Sequence, residues 1–431
     1  MTTDRNLATY ILIGLFSGAL LGLGAKWLVS GEAAWLPHAE PGLKWVIDYI
    51  TLPAGQIFLR LLFMLAVPLI VTAIISSIAS LNVSHFGKVG LRTLVMTVGM
   101  SSIAVVIGVV LVNGLQPGVG LPENVRAFAL TSSTFSTSIP KLPDASGMAL
   151  IVTMFPDNPI KAAANGEIIP LMIFSILFGV GLSLTKSASA AKVRLAIEGL
   201  LDIFMTLINL VLKLAPYGVA ALVFTMTARA GTDIIVHMLA YVGVVILALL
   251  IHLFGVYSIA IRWLARRSPW AFFRDVRLAM LTAFATASSN AALPTTLKVA
   301  DENLRLPKHV SRFVLVAGAA MNQNGTALFE GVTVLFLAQV FGIELTLAQQ
   351  FIIMGICILA GIGTAGVPAG SLPVIAMILV MFNIPVEGIG LILGVDRLLD
   401  MCRTTVNVTG DLVIASYVAR GEQDMPEEIS S

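Results

Sequence analysis

Long apolar runs, separated by short polar connections, fill the first two-thirds of the chain. An α-helix needs about 20 apolar residues to cross a hydrocarbon layer ~30 Å thick. Runs of that length predict membrane-spanning helices near residues 8–29, 52–80, 90–113, 167–185, 196–228 and 234–264. The first run lacks a small-residue cleavage site after a short apolar core, so we interpret it as a retained span and not as a signal peptide.

One long connection, 114–166, differs from the others in composition. It contains six prolines and many serines and threonines, and such a mixture is typical of loops. We therefore predict that this segment is a loop outside the membrane.

Lysine and arginine are unevenly distributed among the predicted connections. Basic connections alternate with others that hold little beyond Lys44 and Arg229. Because cytoplasmic loops are enriched in these residues, the pattern places the basic side and the N-terminus in the cytoplasm of a multi-pass protein of the cell (inner) membrane. The basic connections carry Lys88, Arg92, Lys186, Lys192, Arg194, Arg262, Arg266, Arg267, Arg274 and Arg277.

Composition also indicates a bilayer environment, because 57% of the 431 residues are hydrophobic and only 12% are charged. The net charge of +2 gives no reason to expect nucleic acid as a partner. Cys357 and Cys402 lie within apolar runs, which argues against a disulfide framework. The sequence has neither a P-loop nor an HExxH zinc motif, so we expect no enzymatic activity, no ATP-driven step and no organic cofactor.

The final third of the chain is less regular. Polar patches rich in Gly, Ser or Pro interrupt its apolar runs at 285–294, 322–326 and 361–371, and a last run covers about 385–418. Interrupted helices that recur in this way are typical of the substrate site of a transporter. The alternative for each patch is a loop outside the membrane, since irregular backbone at membrane depth needs protein or a watery cavity around it.

Charged and polar residues follow one face of the last predicted helix. At about 100° per residue, the five from Asp400 to Asp411 fall within an arc of roughly 100°, and Asp396 and Arg397 extend the stripe towards the N-terminus. A charge facing lipid costs about 2.5–3.5 kcal/mol, so we expect this stripe to face protein, ligand or ions. The alternative is a set of internal ion pairs that only hold the helices together. The polar stripe consists of Asp396, Arg397, Asp400, Arg403, Thr404, Asn407 and Asp411.

The residue types in the polar stripe suggest a ligand. Arg403 offers a planar fork suited to a carboxylate, and Asp400 suits an ammonium group. Asp411 supplies a hard oxygen for a small cation, as do the freed carbonyls of 318–322 and 361–364. A zwitterion with an additional acid group fits this set, whereas an uncharged sugar does not.

Four motifs, NGTALFEGV, GTAGVP, SSNAALP and DRLLDMCRTTVNVTGDL, resemble those of the dicarboxylate/amino acid:cation symporter family, which is the glutamate transporter family. The resemblance implies an all-α integral membrane protein that forms a homotrimer. Each protomer would have eight transmembrane helices and two re-entrant hairpins, arranged as inverted repeats, with a scaffold and an elevator-type transport domain. The implied division is scaffold helices 1 and 2 at 1–86, helix 3 of the transport domain at 87–113, an extracellular loop at 114–166, scaffold helices 4 and 5 at 167–230, the rest of the transport domain at 231–420, and a cytoplasmic tail at 421–431.

The resemblance also assigns roles to residues. Arg403 would bind the side-chain carboxylate of an acidic amino acid, L-aspartate or L-glutamate, with help from Thr326. Asp400 and Thr404 would bind its amino group. Around the remainder of the substrate would lie Ser288, Ser289, Val367 and Asn407.

Two Na⁺ sites are implied in the same way. The first would use Asp411 with carbonyls of Gly318, Asn322 and Asn407. The second would use carbonyls of Ala320, Gly361, Ile362 and Thr364.

The chain departs from the family pattern where Asn-Met-Asp-Gly-Thr is replaced by residues 322–326, Asn-Gln-Asn-Gly-Thr. Asn324 stands where the family has the aspartate, which helps to hold a third Na⁺. The other positions that would complete that site are Thr97, Met100 and Ser101. A thioether and a lost anion both disfavour Na⁺, so we expect only one or two Na⁺ sites. Two further departures are Ala287 and Met401, where relatives keep an arginine at one place or the other.

Glu330 follows the same motif inside an apolar run, where burial disfavours a charged carboxylate. The resemblance assigns a proton-coupling role to an acid at this place, and the alternative is a structural glutamate. The sequence also leaves other functions open, namely a carrier of neutral amino acids or C4-dicarboxylates, or an anion-conducting channel. Arg403 disfavours a neutral substrate because a buried unpaired guanidinium is costly, and Asp400 disfavours a substrate without an ammonium group.

Overall fold

The computed structural model describes residues 2–29, 39–80, 87–120, 152, 155–165, 167–363, 371–420 and 422. Throughout these residues the regular structure is helical, and no strand occurs in them. Cys357 and Cys402 are both free thiols, as the sequence predicts.

The N-terminal half consists mainly of long helices, with two short ones, α2 and α5. A π-helical segment, Ile47–Thr51, joins α2 to α3, and two more, Ile251–Val256 and Ala260–Leu264, extend α9. The helices are α1 (Thr2–Val29), α2 (Glu40–Val46), α3 (Leu52–Ser80), α4 (Gly87–Leu115), α5 (Pro159–Asn165), α6 (Ile168–Leu184), α7 (Ala188–Leu212), α8 (Ala215–Ala230) and α9 (Asp233–Leu250).

The C-terminal half contains shorter helices that meet at breaks, followed by one long helix. The breaks fall within the patches predicted from sequence at 285–294 and 322–326, whereas most of the third patch lies outside the described residues. The helices are α10 (Pro269–Thr286), α11 (Ser289–Glu302), α12 (Lys308–Met321), α13 (Asn324–Phe341), α14 (Leu347–Gly363), α15 (Leu372–Met381) and α16 (Ile389–Val418).

Six helical stretches in the described part of the chain are long and apolar enough to cross a membrane. Three of them match predicted spans closely, and Glu40–Ala79 includes nearly all of the predicted span 52–80, whereas the predicted span 167–185 corresponds to a shorter apolar helix, Ile169–Leu184. The lengths and composition are those of a multi-pass helical membrane protein. The six stretches are Thr9–Val29, Glu40–Ala79, Lys88–Leu115, Ala188–Leu212, Ile235–Leu264 and Lys308–Phe341.

The prediction of a single helix over 196–228 is wrong. The chain turns at Lys213 and Leu214, and a new helix, α8, starts at Ala215. Pro216 lies in the first turn of α8, where its missing N–H costs nothing, but inside a continuous helix it would remove a hydrogen bond. The apolar composition continues through the turn, so hydropathy alone does not reveal it.

The prediction of a loop over all of 114–166 also needs correction, because α5 lies within this segment. Asn158 precedes α5, and its side-chain oxygen accepts hydrogen bonds from the backbone N–H groups of Ile160 (2.9 Å) and Lys161 (3.1 Å). Pro159 then occupies the first helical position, which its fixed φ favours. A proline-rich composition therefore conceals one short helix.

Three glycines spaced four residues apart allow α1 to pack closely against α8. A Cβ atom on Gly14 would lie 2.3 Å from the carbonyl oxygen of Pro216, and one on Gly18 would lie 2.5 Å from that of Ala220. On Gly22 it would lie 2.1 Å from the hydroxyl of Thr227. Small residues at such a spacing are typical of close helix pairs in membranes.

The last helix, α16, lies at the centre of the structure. It packs against α10, α12 and α13, and also against α8 and α9. Because α13 and most of α16 are buried, the breaks that precede α11 and α13 face the protein interior beside α16. This arrangement brings the broken segments and the polar stripe together.

Candidate functional site

The polar stripe of α16 faces the protein interior, as predicted. Its acceptors and donors are almost fully buried, from Asn407 at 1% exposed to Asp396 at 6%. Arg397 is the exception, since it is only half-buried. It lies at the edge of the arc, about 100° from Asp396, so we exclude it from the site.

Arg403 is held by two carboxylates on its own helix. Its Nε donates to Oδ1 of Asp400 at 2.9 Å, and its Nη1 donates to Oδ1 of Asp396 at 3.0 Å. The guanidinium carbon lies 4.3 Å from the centre of the Phe329 ring on α13, within the range of a cation–π contact. The internal ion pairs that the sequence left open are therefore present, and they fix the fork in one orientation.

The break between α12 and α13 lies directly against α16. Gly325 donates its backbone N–H to Oδ1 of Asn407 at 2.7 Å, so the stripe caps the positive end of α13. A Cβ atom on Gly325 would lie only 2.6 Å from the carbonyl oxygen of Arg403. Only glycine permits this close approach. The approach also lets Nδ2 of Asn407 donate a hydrogen bond to Oγ1 of Thr326 at 3.1 Å.

Asp411 and the end of α12 form a set of oxygens suited to a small hard cation. Oδ1 of Asp411 accepts a hydrogen bond from Nδ2 of Asn322 at 2.7 Å. Oδ1 of Asn322 is buried and has no hydrogen-bond partner among the described residues. Gly318 leaves room for this carboxylate, because a Cβ atom on Gly318 would lie only 2.4 Å from Oδ1 of Asp411. An orphaned oxygen beside a buried carboxylate fits Na⁺, which prefers oxygen ligands.

The residues predicted for the second cation site come together only in part. Gly361, near the end of α14, lies beside the α12–α13 break, and a Cβ atom on it would be 3.4 Å from the carbonyl oxygen of Gln323. Ile362 follows it and is buried, and the carbonyl of Ala320 accepts a hydrogen bond from the Ser77 hydroxyl at 3.4 Å. Two other predicted residues, Thr364 and Val367, lie outside the described residues.

The break between α10 and α11 contains the predicted serines. Ala287 ends α10 with φ of 48°, in the left-handed region, which is uncommon for a residue with a side chain. The Ser288 side chain caps α11 by accepting the N–H of Ala291 at 3.3 Å. The hydroxyl of Ser289 is buried and has no hydrogen-bond partner in the described structure. The helix that carries it, α11, packs on α16.

Asn324, which replaces the family's aspartate, is part of a neutral hydrogen-bond network. Its Oδ1 accepts from the Ser101 hydroxyl at 2.6 Å, and its Nδ2 donates to the Tyr257 hydroxyl at 3.0 Å. Tyr257 in turn donates to the carbonyl of Val406 at 3.1 Å. Met100 lies buried on the same helix as Ser101. Internal partners thus satisfy the amide where a third cation would need an anion.

Glu330 is fully buried on α13, one turn beyond Thr326. Neither of its carboxylate oxygens has a hydrogen-bond partner among the described residues. A buried carboxylate without partners is strongly disfavoured against its neutral form. The environment therefore fits an acid that carries a proton.

The structure adds three residues that sequence reasoning did not assign to the site: Gln323, Tyr257 and Phe329. Gln323 was visible only as a departure from the family motif. Phe329 could have been found from its position one turn after Thr326, on the same face of α13. No sequence signal distinguishes Tyr257 from the apolar residues around it. Groups of three or more His, Cys, Asp and Glu residues that could hold a metal ion are absent from the described residues.

Comparison with known proteins supports the motif resemblance over nearly the whole chain. The model of the sodium:dicarboxylate symporter family matches residues 7–421. The chain is 29% identical to the proton/glutamate-aspartate symporter of Escherichia coli (strain K12), over 97% of this chain and 93% of that protein. It is 30% identical to the proton/sodium-glutamate symport protein of Bacillus subtilis (strain 168), over 96% and 92% respectively. It is also 29% identical to the C4-dicarboxylate transport protein of Laribacter hongkongensis (strain HLHK9), over 98% and 91%.

Proposed function

The chain belongs to the sodium:dicarboxylate symporter family, and from this premise we propose that it is a secondary active symporter for an acidic amino acid, L-aspartate or L-glutamate. Uptake would be coupled to Na⁺, H⁺ or both. The observation that carries the proposal is the buried Arg403, whose fork lies beside Asp400 and faces Phe329. A buried guanidinium can bind the additional acid group of such a substrate, and the adjacent carboxylate can bind its ammonium group.

In this proposal each charged end of the substrate has its own partner. Arg403 binds the side-chain carboxylate, with Thr326 beside it, while Asp400 and Thr404 bind the amino group. Ser288, Ser289, Asn407 and the backbone near Val367 surround the α-carboxylate and amino ends. The burial of Thr326, Thr404 and Asn407 supports this assignment, because a water-excluded site strengthens every charge-assisted hydrogen bond.

Na⁺ would neutralise the acidic end of the stripe. The first ion would be held by Asp411 with oxygens of Gly318, Asn322 and Asn407, and the second by carbonyls of Ala320, Gly361, Ile362 and Thr364. The chemistry that Na⁺ supplies is positive charge that offsets the substrate's net negative charge. Since Asn324 is hydrogen-bonded to Ser101 and Tyr257, we infer that a third Na⁺ is not bound.

Glu330 is proposed to carry a proton coupled to transport. Its orphaned carboxyl would alternate between protonated and ionised forms as its surroundings change during transport. The names of both the Escherichia coli and the Bacillus subtilis relative include a proton, which agrees with this role without assigning it to a residue.

The architecture follows the family resemblance. We infer eight transmembrane helices and two re-entrant hairpins, α10–α11 and α14–α15, with the N- and C-termini in the cytoplasm and the protein in the cell (inner) membrane. The scaffold would contain 1–86 and 167–230, and the transport domain 87–113 and 231–420, with 114–166 an extracellular loop and 421–431 a cytoplasmic tail. An elevator-like movement within a homotrimer would give alternating access. The contacts of α16 with α10, α11, α12 and α13 support one unit that contains the whole site.

A carrier of C4-dicarboxylates is the second candidate, because one relative has that name. The buried Asp400 disfavours it here, since Asp400 would repel a carboxylate that replaced the ammonium group. Arg403 is already paired with Asp396 and Asp400, so the cost of an unpaired guanidinium does not count against a carrier of neutral amino acids or a channel, and transport measurements must decide between them.

The test is uptake into proteoliposomes with imposed Na⁺, H⁺ and K⁺ gradients. We expect saturable L-aspartate or L-glutamate uptake that needs an inward Na⁺ or H⁺ gradient and is lost in Arg403→Ala. The matched control is Arg397→Ala, which removes the half-buried arginine of the same helix and should retain uptake. Preferred uptake of succinate over aspartate would favour the dicarboxylate carrier, and current without a coupled ion would favour a channel.

A further inference from the structure

Gln323 lies at the centre of the binding site, although the family motif has methionine at this place. The side chain is 3% exposed and is anchored at one end, where Nε2 donates to the carbonyl of Ala319 at 3.2 Å. Its other end points to α16 and α13. There Oε1 accepts hydrogen bonds from Nδ2 of Asn407 and, at 3.4 Å, from the hydroxyl of Thr326.

The orientation of this carboxamide is fixed by its partners. If the amide were flipped, its nitrogen would face the amide nitrogen of Asn407 and its oxygen would face the carbonyl of Ala319, so two contacts would become repulsive. The amide oxygen must therefore point into the site.

The Gln323 oxygen uses hydrogen-bond donors that a substrate would otherwise meet. The amide nitrogen of Asn407 has two hydrogens, which go to Gln323 and to Oγ1 of Thr326. The single hydroxyl hydrogen of Thr326 goes to Gln323. These three donors are all used, so neither side chain can donate to a substrate carboxylate while Gln323 stays in place.

We propose that Gln323 acts as an internal competitor for the substrate: its amide oxygen occupies the position of a ligand carboxylate oxygen and is displaced when an acidic amino acid binds. This inference rests on the proposed function and concerns the affinity of the same site. A carboxylate wins the exchange because hydrogen bonds to an ionised acceptor are roughly twice as strong as those to a neutral one. Gln323 is thus a positioning residue that weakens substrate binding and holds the empty site in order.

Methionine is the informative replacement, since it has nearly the length of glutamine but its sulfur is a weak acceptor. In Gln323→Met, Asn407 and Thr326 lose their internal acceptor and keep donors available for the ligand. We expect the dissociation constant for L-aspartate, measured on the purified full chain by isothermal titration calorimetry at saturating Na⁺, to fall by about tenfold, which corresponds to 1.4 kcal/mol. Gln323→Leu is a second variant with no acceptor and should change the constant in the same direction.

Gln339→Met is the matched control. Gln339 lies on α13 and likewise makes two side-chain hydrogen bonds, to the carbonyl of Val112 at 3.0 Å and from the N–H of Gly118 at 3.1 Å, and neither bond involves Asn407 or Thr326. The control should leave the affinity for aspartate unchanged. Thermal unfolding separates competition from a general structural role: Gln323→Met should lower the melting temperature of the ligand-free protein more than that of the aspartate-loaded protein.

The outcomes distinguish this inference from the proposed function. If the wild type binds neither aspartate nor glutamate, the proposed function fails. If the wild type binds but Gln323→Met and Gln323→Leu bind equally well or more weakly, the competitor role is wrong and the proposed function stands. A gain that appears only at low Na⁺ and vanishes at saturating Na⁺ would also overturn it, since the effect would then act through the cation sites.

Discussion

A single methyl group on Gly318 should disable the first cation site. A Cβ atom at this position would lie 2.4 Å from Oδ1 of Asp411 and 2.7 Å from its carboxyl carbon. Both separations are far inside van der Waals contact, so α12 or the carboxylate must move. The carboxylate is the part that can rotate, and rotation breaks its 2.7 Å hydrogen bond from Asn322 and removes the anion from the end of α12.

The size of the effect follows from the bond that is lost. A hydrogen bond to a charged group is worth about 1.5–3 kcal/mol. If Na⁺ binding needs the carboxylate in its present place, Gly318→Ala should raise the half-saturating Na⁺ concentration for aspartate uptake by roughly 10- to 100-fold. Affinity for aspartate at very high Na⁺ should change much less, because Gly318 does not belong to the substrate set.

The assay is the Na⁺ dependence of aspartate uptake into proteoliposomes, with Gly355→Ala as a matched control. Gly355 is also inside a helix, and a Cβ atom there meets nothing within 4 Å. Its alanine variant should keep the wild-type Na⁺ dependence and gain slightly in stability from better helix propensity. A folded Gly318→Ala protein with wild-type Na⁺ dependence would refute the assignment of Asp411 to a cation site, as would an equal loss in Gly355→Ala.

Three further predictions address the proton, the number of Na⁺ ions and helix packing. Glu330→Gln should abolish the pH dependence of uptake, because the amide mimics the neutral acid but cannot release a proton; unchanged pH dependence in liposome uptake would exclude Glu330 as the carrier. The wild type should show a Hill coefficient for Na⁺ below three, and Asn324→Asp, which restores the missing anion, should steepen it; a coefficient near three in the wild type would contradict the missing third site. Gly18→Leu should lower the free energy of unfolding by about 1–3 kcal/mol through overpacking, since the new side chain would clash with Ala220 on α8. In the control Gly24→Leu a Cβ atom meets nothing within 4 Å, so the melting temperature should stay nearly unchanged.

Much of the helical layout follows from sequence because the bilayer imposes a length on each apolar run. The breaks at Ala287–Ser288 and Asn322–Gln323 were also predictable, since small and polar residues interrupt strong apolar patterns there. The turn at Lys213–Leu214 was not, because its neighbours are as apolar as the helices on either side. Its cause is Pro216 at the start of α8, and a proline within a span is compatible with either a kink or a new helix.

The candidate site was predictable as a face of one helix but not as a network. Helical periodicity places Asp400, Arg403 and Asn407 on one stripe, whatever the rest of the fold. The partners of the stripe cannot be read in the same way: Gln323 comes from the break between α12 and α13, Tyr257 comes from the segment after α9, and their roles depend on how α9, α12 and α13 pack on α16. The two ion pairs of Arg403 show the same limit, because spacing alone does not say whether a carboxylate serves the arginine or a ligand.

The most direct test of the central claim is calorimetric titration of the purified chain with L-aspartate, L-glutamate and L-asparagine in Na⁺. The account predicts saturable, Na⁺-dependent binding of at least one of the two acids, no comparable binding of asparagine, and loss of binding in Arg403→Ala but not in Arg397→Ala. Binding of the acids that survives removal of Arg403, or binding of asparagine equal to that of aspartate, would contradict it.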